Sequence, residues 1–201
     1  MKFTKTLGAV FVLLLLAACG DDHFVPSKTE PPVDVTQLPP MRVASFTVTV
    51  PETLTVSEDN TYDPSEKIVW RGDPFGPRHA QVKAVVETGI AAGIKDLNGE
   101  VPVILDIVVQ RFHSQTEKIR YSFGGKYEVE YDLQVRDARN GAVIIPAYRV
   151  YAEVDAPGGA DALAADHEGR TQKDDNIKLI AESIRTQLTG IAPDGTAVAE
   201  G

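Results

Sequence analysis

Two groups of residues have the types and spacing to do chemistry, and the first lies near the start of the chain. Leu16-Ala17-Ala18-Cys19 closes an apolar run that follows Lys2 and Lys5. A basic start, an apolar middle from Leu7 to Leu16 and small residues at Ala17 and Ala18 are what a secretory signal peptidase reads. With a cysteine next, the chemistry predicted is lipid attachment to Cys19, which becomes the first residue of the mature chain. A membrane-spanning reading fails on length, because Leu7 to Ala18 falls far short of the roughly 20 residues that cross a bilayer.

The second group is Trp70-Arg71-Gly72-Asp73-Pro74-Phe75-Gly76-Pro77-Arg78-His79, which leads into a helical pattern. Arg71, Arg78 and His79 bring cationic or titratable side chains to a helix N-terminus. The peptide dipoles are already positive there, so something anionic must offset them. Two sources fit. A partner supplies a carboxylate or phosphate to the arginines, His79 and the free helix N–H groups. Alternatively, Asp73 and neighbouring acids pair with Arg71 and Arg78, while Trp70 and Phe75 pin the loop to the core. Trp70, Arg71, Asp73, Arg78 and His79 are thus the candidate partner or anion site, with local pairing the favoured reading.

Other constellations give no catalytic centre. The chain has no Gly-x-Ser-x-Gly and no Ser-x-x-Lys, and nothing in sequence pairs His23, His79, His113 or His167 with a nucleophile. Gly89-Ile90-Ala91-Ala92-Gly93-Ile94-Lys95 lacks the Lys-Ser/Thr ending of a phosphate loop and falls inside a helical period, where close packing of the helix on a sheet explains its glycines. Asp161, Asp166, Glu168, Asp174 and Asp175 lack the spacing that wraps a hard cation. Glu128, Glu130 and Asp132 recur at every second residue of a strand, about 7 Å apart on a face open to water, with Arg149 available to neutralise one. No metal and no cofactor are expected, and the protein is read as not an enzyme.

Composition narrows the partners. The 201-residue chain carries a formal charge of −9. Removing residues 1–18 takes away Lys2 and Lys5 and leaves −11, a surface that repels nucleic acid. Cys19 is the single cysteine, so lipid attachment leaves no thiol for a disulfide, a metal or a nucleophile.

Patterning divides the chain into a signal peptide (residues 1–18), a lipid-anchored proline-rich tether (19–40), a globular domain (41–190) and a disordered tail (191–201). Extended, the tether would reach on the order of 60 Å at about 3.1 Å per residue. Within the domain, Ala44, Phe46, Val48 and Val50 alternate as one strand, and Val82, Val85, Val86, Ile90 and Leu97 recur as a helix. Val101 to Phe112 is apolar on much of both faces and reads as a central strand. Tyr127 to Arg136 alternates cleanly, and Asn140-Gly141 predicts a two-residue hairpin into Val143 to Val154, with Asp132 opposite Arg149 and Tyr131 opposite Val150. Gly158 to Gly169 reads as a loop or one weak helical turn. Thr171-x-x-Asp174 then caps a last helix whose buried stripe is Ile177, Ile180, Ala181, Ile184 and Leu188, ending at Gly190. The order β-α-β-β-β-α predicts an α+β two-layer sandwich, a mostly antiparallel sheet with two helices on one face.

Ile68-Val69-Trp70-Arg71-Gly72-Asp73-Pro74, Gly76, His79-Ala80-Gln81-Val82 and Asp174-Asp175-Asn176-Ile177-Lys178-Leu179-Ile180-Ala181 resemble an uncharacterised family of alphaproteobacterial lipoproteins with a domain of unknown function. The resemblance implies no assigned activity or site. Anchor, tether, compact domain and the lack of a catalytic constellation together predict an envelope accessory, held at a membrane through Cys19 with its domain in the periplasm and binding another envelope protein. The alternative is a binder of small amphiphiles or glycans that serves a transporter, which requires a pocket of at least about 300 Å³ between the layers. Gly20 in place of Asp after the lipidated cysteine favours the outer membrane. Cys19→Ser is expected to move the protein from the membrane pellet to the soluble fraction; a variant that still sediments wholly with membranes would remove the lipid-anchor reading.

Overall fold

Three long strands with apolar residues at every second position must bury one face, and two helices with apolar stripes cover it. The computed structural model describes residues 24–25 and 31–198. Cys19, the signal segment, part of the tether and residues 199–201 lie outside the described residues. In chain order the elements are β1 (Phe24–Val25), β2 (Met41–Thr49), β3 (Val56–Ser57), β4 (Ile68–Val69), α1 (Arg78–Ile94), β5 (Val101–His113), α2 (Glu117–Arg120), β6 (Gly125–Asp137), β7 (Val143–Ala156), α3 (Ala160–His167) and α4 (Gln172–Thr189), with a 3-10 turn at Val35–Gln37 before β2.

The result is an α+β fold on a mixed sheet. Its long pairings, β5 with β6 and β6 with β7, are antiparallel, whereas β2 and β4 lie parallel to β5 along its other side, and β3 lies parallel to β4. β5 is central, as its two-sided apolar pattern requires. Val103, Leu105, Ile107 and Val109 of β5 join Tyr127, Val129, Tyr131, Leu133 and Val135 of β6 in one core with Val82, Val85, Val86 and Ile90 of α1 and Leu179, Ile180, Ile184 and Leu188 of α4. The other face of the sheet is laced by ion pairs: Arg136 with Asp106, and Arg149 with Asp132 and Glu130.

Several local expectations change. β2 is bulged between Val43 and Ser45, which turns Ala44 out to solvent and leaves Met41 and Val48 as its buried residues. Asp132 does face Arg149 and Tyr131 does face Val150. The turn, however, is not the two-residue form: Asn140 does not take a positive φ, Gly141 does (77°), and the loop closes with Asp137 N–H donating to Ala142 O. Register shifts between Leu133 and Val135 and between Val135 and Arg136 restore the pairing beyond it. Gly158 to Gly169 contains a real helix, α3, because Ala162 and Ala165 find a buried face.

Gly89 and Gly93 serve helix against helix rather than helix against sheet. A Cβ on Gly89 would stand 2.7 Å from Ile180 Cβ, and one on Gly93 would overlap Ala181 O and stand 2.5 Å from Ile184 Cγ2. Contacts that advance together along both chains mean that α1 and α4 run parallel. Thr171 and Asp174 form the expected capping box, and Gly190 ends α4 at φ 69°.

Both termini of the domain are tied down further than expected. Phe24 and Val25 pair antiparallel with Val154 and Glu153 of β7. Val35 is buried and Leu38 packs on the core, and a Cβ on Gly190 would meet Thr36 at 2.6 Å. After α4, residues 191–198 turn back, with Ile191 bridging Ala197 and Val198 N–H donating to Gly190 O. Gly93→Ala pushes a methyl group against α4 backbone that cannot rotate away, and is expected to cost about 1–3 kcal/mol of stability in urea unfolding; an unchanged midpoint would place the helix contact elsewhere.

Candidate functional site

The structure brings Trp70, Arg71, Asp73, Arg78 and His79 together, but each is already occupied. The Trp70 indole is fully buried, edge-on to Phe112 with ring centres 5.4 Å apart. Its Nε1 donates to Asp73 Oδ2 at 3.0 Å, and Lys173 at the start of α4 donates to Asp73 Oδ1 at 2.7 Å. The loop wraps the indole so closely that a Cβ on Gly72 would overlap its ring. Asp73 is therefore not the arginines' counter-ion.

That role falls to Glu58, from the loop between β3 and β4. Arg78 Nε and Nη2 donate to its two carboxylate oxygens at 2.7 and 3.1 Å, and Arg71 Nη1 lies 3.2 Å from Oε2. Most of the remaining guanidinium donors are spent on carbonyls, Arg78 Nη1 on Asp73 O and Pro74 O, Arg71 Nη1 on Ser57 O and Trp70 O, while Arg71 Nε lies 3.7 Å from Glu117 Oε2. Side-chain exposures of 7% and 5% for Arg71 and Arg78 show that both charges are withdrawn from solvent, so the anion demanded by the α1 dipole is internal. His79 Nε2 meets Leu54 O at 2.9 Å. Phe75 does not pin the loop: it is 84% exposed, with the Arg78 guanidinium 5.7 Å from its ring centre.

A second cluster, which sequence reading treated as isolated residues, lies at the end of the sheet where β5 finishes. His113 borders a hollow of about 250 Å³ that Tyr62, Asp63, Arg111, Lys126 and Glu128 also line. Arg111 Nη2 donates to His113 Nδ1, and His113 Nε2 donates to Glu66 O. Burial holds this imidazole below its ordinary value, and a neutral ring with both nitrogens engaged has neither a proton to give nor a lone pair to offer. Ser114 Oγ donates instead to Gln172 Oε1 and accepts from Asn176.

Nearby, Arg120 pairs with Asp166 at 2.6 Å, and Tyr121 donates to the same carboxylate. Among the described residues no group of three His, Cys, Asp or Glu side chains is arranged to hold a metal ion, and no helix is long and apolar enough to cross a membrane. A hollow of about 400 Å³ lies outside the two layers, between α4 and the turn after it, lined by Glu182, Arg185, Thr189 and Pro193 among others.

A family model, described as a family of unknown function (DUF6778), matches residues 41–200. The chain belongs to this family. The matched region holds the whole sheet from β2 onward, both long helices and the turn after α4, so the family domain includes the Glu58 pairing and the His113 hollow. No curated protein matches the sequence. Among solved structures, a predicted lipoprotein from Caulobacter crescentus CB15 shares 18% identity over 53% of this chain and 80% of its own, with a TM-score of 0.27. The protein of the PelC dodecamer from Paraburkholderia phytofirmans shares 14% over 80% and 94%, TM-score 0.31. Protein XCC0632 from Xanthomonas campestris, of family DUF330, shares 13% over 82% and 85%, TM-score 0.38.

Glu58 gives the domain a defined acid response. Hydrogen bonds from Arg78, opposed by partial burial and helped by the nearby arginine charges, hold its carboxyl below the ordinary 4.5. A depressed folded value means that its stabilisation is complete above the unfolded value and is lost as pH falls through the folded one. Glu58→Gln is expected to cost about 1–2 kcal/mol at pH 7, with the deficit shrinking towards zero as pH falls below the ordinary carboxylate value and through the lower folded one. Thermal melts across pH 3–7 check this, and a pH-independent deficit would contradict it.

Proposed function

We propose that this protein is a lipid-anchored accessory of the bacterial envelope, non-catalytic, with its domain on the periplasmic side and the outer membrane as its site. It recognises another envelope protein through the open edge of β7. The observation that carries the reading is a contrast within the fold. The candidate chemical groups are spent on internal pairs, whereas the outer side of β7 from Val143 to Val150 has no strand partner among the described residues, β1 pairing only with Glu153 and Val154.

The backbone N–H and C=O groups of an unpaired edge form a ready template for an added strand. Pro146 and Arg149 on that edge are the kind of residue that discourages indiscriminate pairing, which suits a surface kept for one partner. The net acidic charge of the chain fits a protein partner better than nucleic acid.

A photocrosslinking side chain at the exposed Ala147 on this edge, with Lys83 on the outer face of α1 as control, tests the reading in intact cells. Adducts to one discrete envelope protein from position 147 and none from 83 are the expected result. Uncrosslinked monomer from both positions, or the same adducts from both, would overturn it.

A further inference from the structure

Exposed large hydrophobic side chains are not spread evenly over this molecule. Of the eight found among the described residues, Tyr62, Phe75, Tyr121, Phe123 and Leu163 lie at the end of the sheet where β5 and β7 finish and β6 begins. Tyr62 and Phe123 stack with ring centres 5.4 Å apart, and Lys118 Nζ sits 4.3 Å from the Tyr62 ring centre. Tyr121 and Phe123 belong to the turn that enters β6, and Leu163 to the helix that leaves β7. Phe75 follows β4, which pairs with the last two residues of β5. Phe75 and Phe123, at 84% and 74% exposure, are the most exposed of the eight.

The N-terminal end of β1 lies at the same end. β1 is antiparallel to β7, with Phe24 opposite Val154 and Val25 opposite Glu153, so the N-terminal end of β1 faces the end where β7 finishes. Cys19 is five residues before Phe24, a separation that spans at most about 17 Å. The 60 Å reach expected of a free tether is therefore not available to a domain held at β1.

We propose that this end of the domain rests in the headgroup layer of a phospholipid bilayer, beside the acyl chains on Cys19, with Tyr62, Tyr121 and Phe123 as its central contacts and Phe75 and Leu163 flanking them. The inference rests on the lipid anchor of the proposed function. Aromatic side chains with an apolar ring and a polar tip favour that layer. Asp63, Glu117, Asp161 and Asp166 share this end with Lys118 and Lys126, so the charge is not that of a surface selecting anionic lipid; the lipid that fits is zwitterionic, such as phosphatidylethanolamine. Seated this way, the sheet stands on the membrane and the Asn140 hairpin points away from it.

The test uses the acylated full chain in phosphatidylethanolamine–phosphatidylcholine vesicles. The lipid consumes the native thiol, so Ser122→Cys or Asn140→Cys places one environment-sensitive fluorophore at either end. The expected result is blue-shifted emission at position 122, quenched at least about threefold more by headgroup-region spin-labelled lipid than at position 140. In Tyr62→Ser/Phe123→Ser protein whose melting shows it to be folded, that difference falls by half or more. Equal quenching at both ends on protein that carries its acyl mass and floats with the vesicles overturns the proposal alone. A blue shift at 122 without lipid quenching assigns the patch to a protein contact and also overturns it. Protein without acyl mass on Cys19 that fails to float overturns the anchored reading, and the proposal with it.

Discussion

The contact between α1 and α4 at Gly89 and Gly93 governs the arrangement of this fold. With no side chain at either position, Ile180 and Ala181 approach the α1 backbone closely enough that even a methyl group would be excluded, and the two helices lie side by side on one face of the sheet. Because they are parallel, both N-termini reach the same end of the molecule. That brings Lys173 of α4 to Asp73 in the loop that feeds α1, and it gathers the loops of that end around Trp70.

Charge placement is a consequence of this geometry. A helix N-terminus crowded with Arg71 and Arg78 is unfavourable in isolation, and burying two guanidiniums without a carboxylate would cost several kcal/mol. Glu58 removes both difficulties by accepting from Arg78 and pairing with the Arg71 charge. Asp73 is thereby left to receive the indole N–H and Lys173. The candidate anion site thus reads as a structural clasp.

The open edge of β7 and the aromatic end of the sheet are different surfaces, and they fit one orientation. Among the described residues β1 covers only Glu153 and Val154 of β7, next to the aromatic end, while the stretch from Val150 back to Val143 extends away from it towards the Asn140 hairpin. A domain standing on its aromatic end would keep one part of its edge strand occupied by its own anchor segment and hold the remainder clear of the membrane. The Arg149, Asp132 and Glu130 lattice on the outer sheet face is then solvent-facing, consistent with its mixed charge.

Local physical chemistry was enough for some features. Alternation placed the long strands, the 3.6-residue period placed both long helices, and Thr171 with Asp174 fixed the start of α4; the pairing of Asp132 with Arg149, read from a two-residue turn that does not form, holds because two register shifts in β6 and β7 offset the longer loop. What only the tertiary structure decided depends on contacts distant in sequence: Glu58 rather than Asp73 as the counter-ion, α4 rather than the sheet as the surface against Gly89 and Gly93, the parallel seat of β2 beside β5, and the pairing of Phe24 and Val25 with β7. No spacing rule reports a partner twenty or more than a hundred residues away, because such pairs form only after the chain has collapsed and each buried charge or open edge takes whichever group the packing brings within reach.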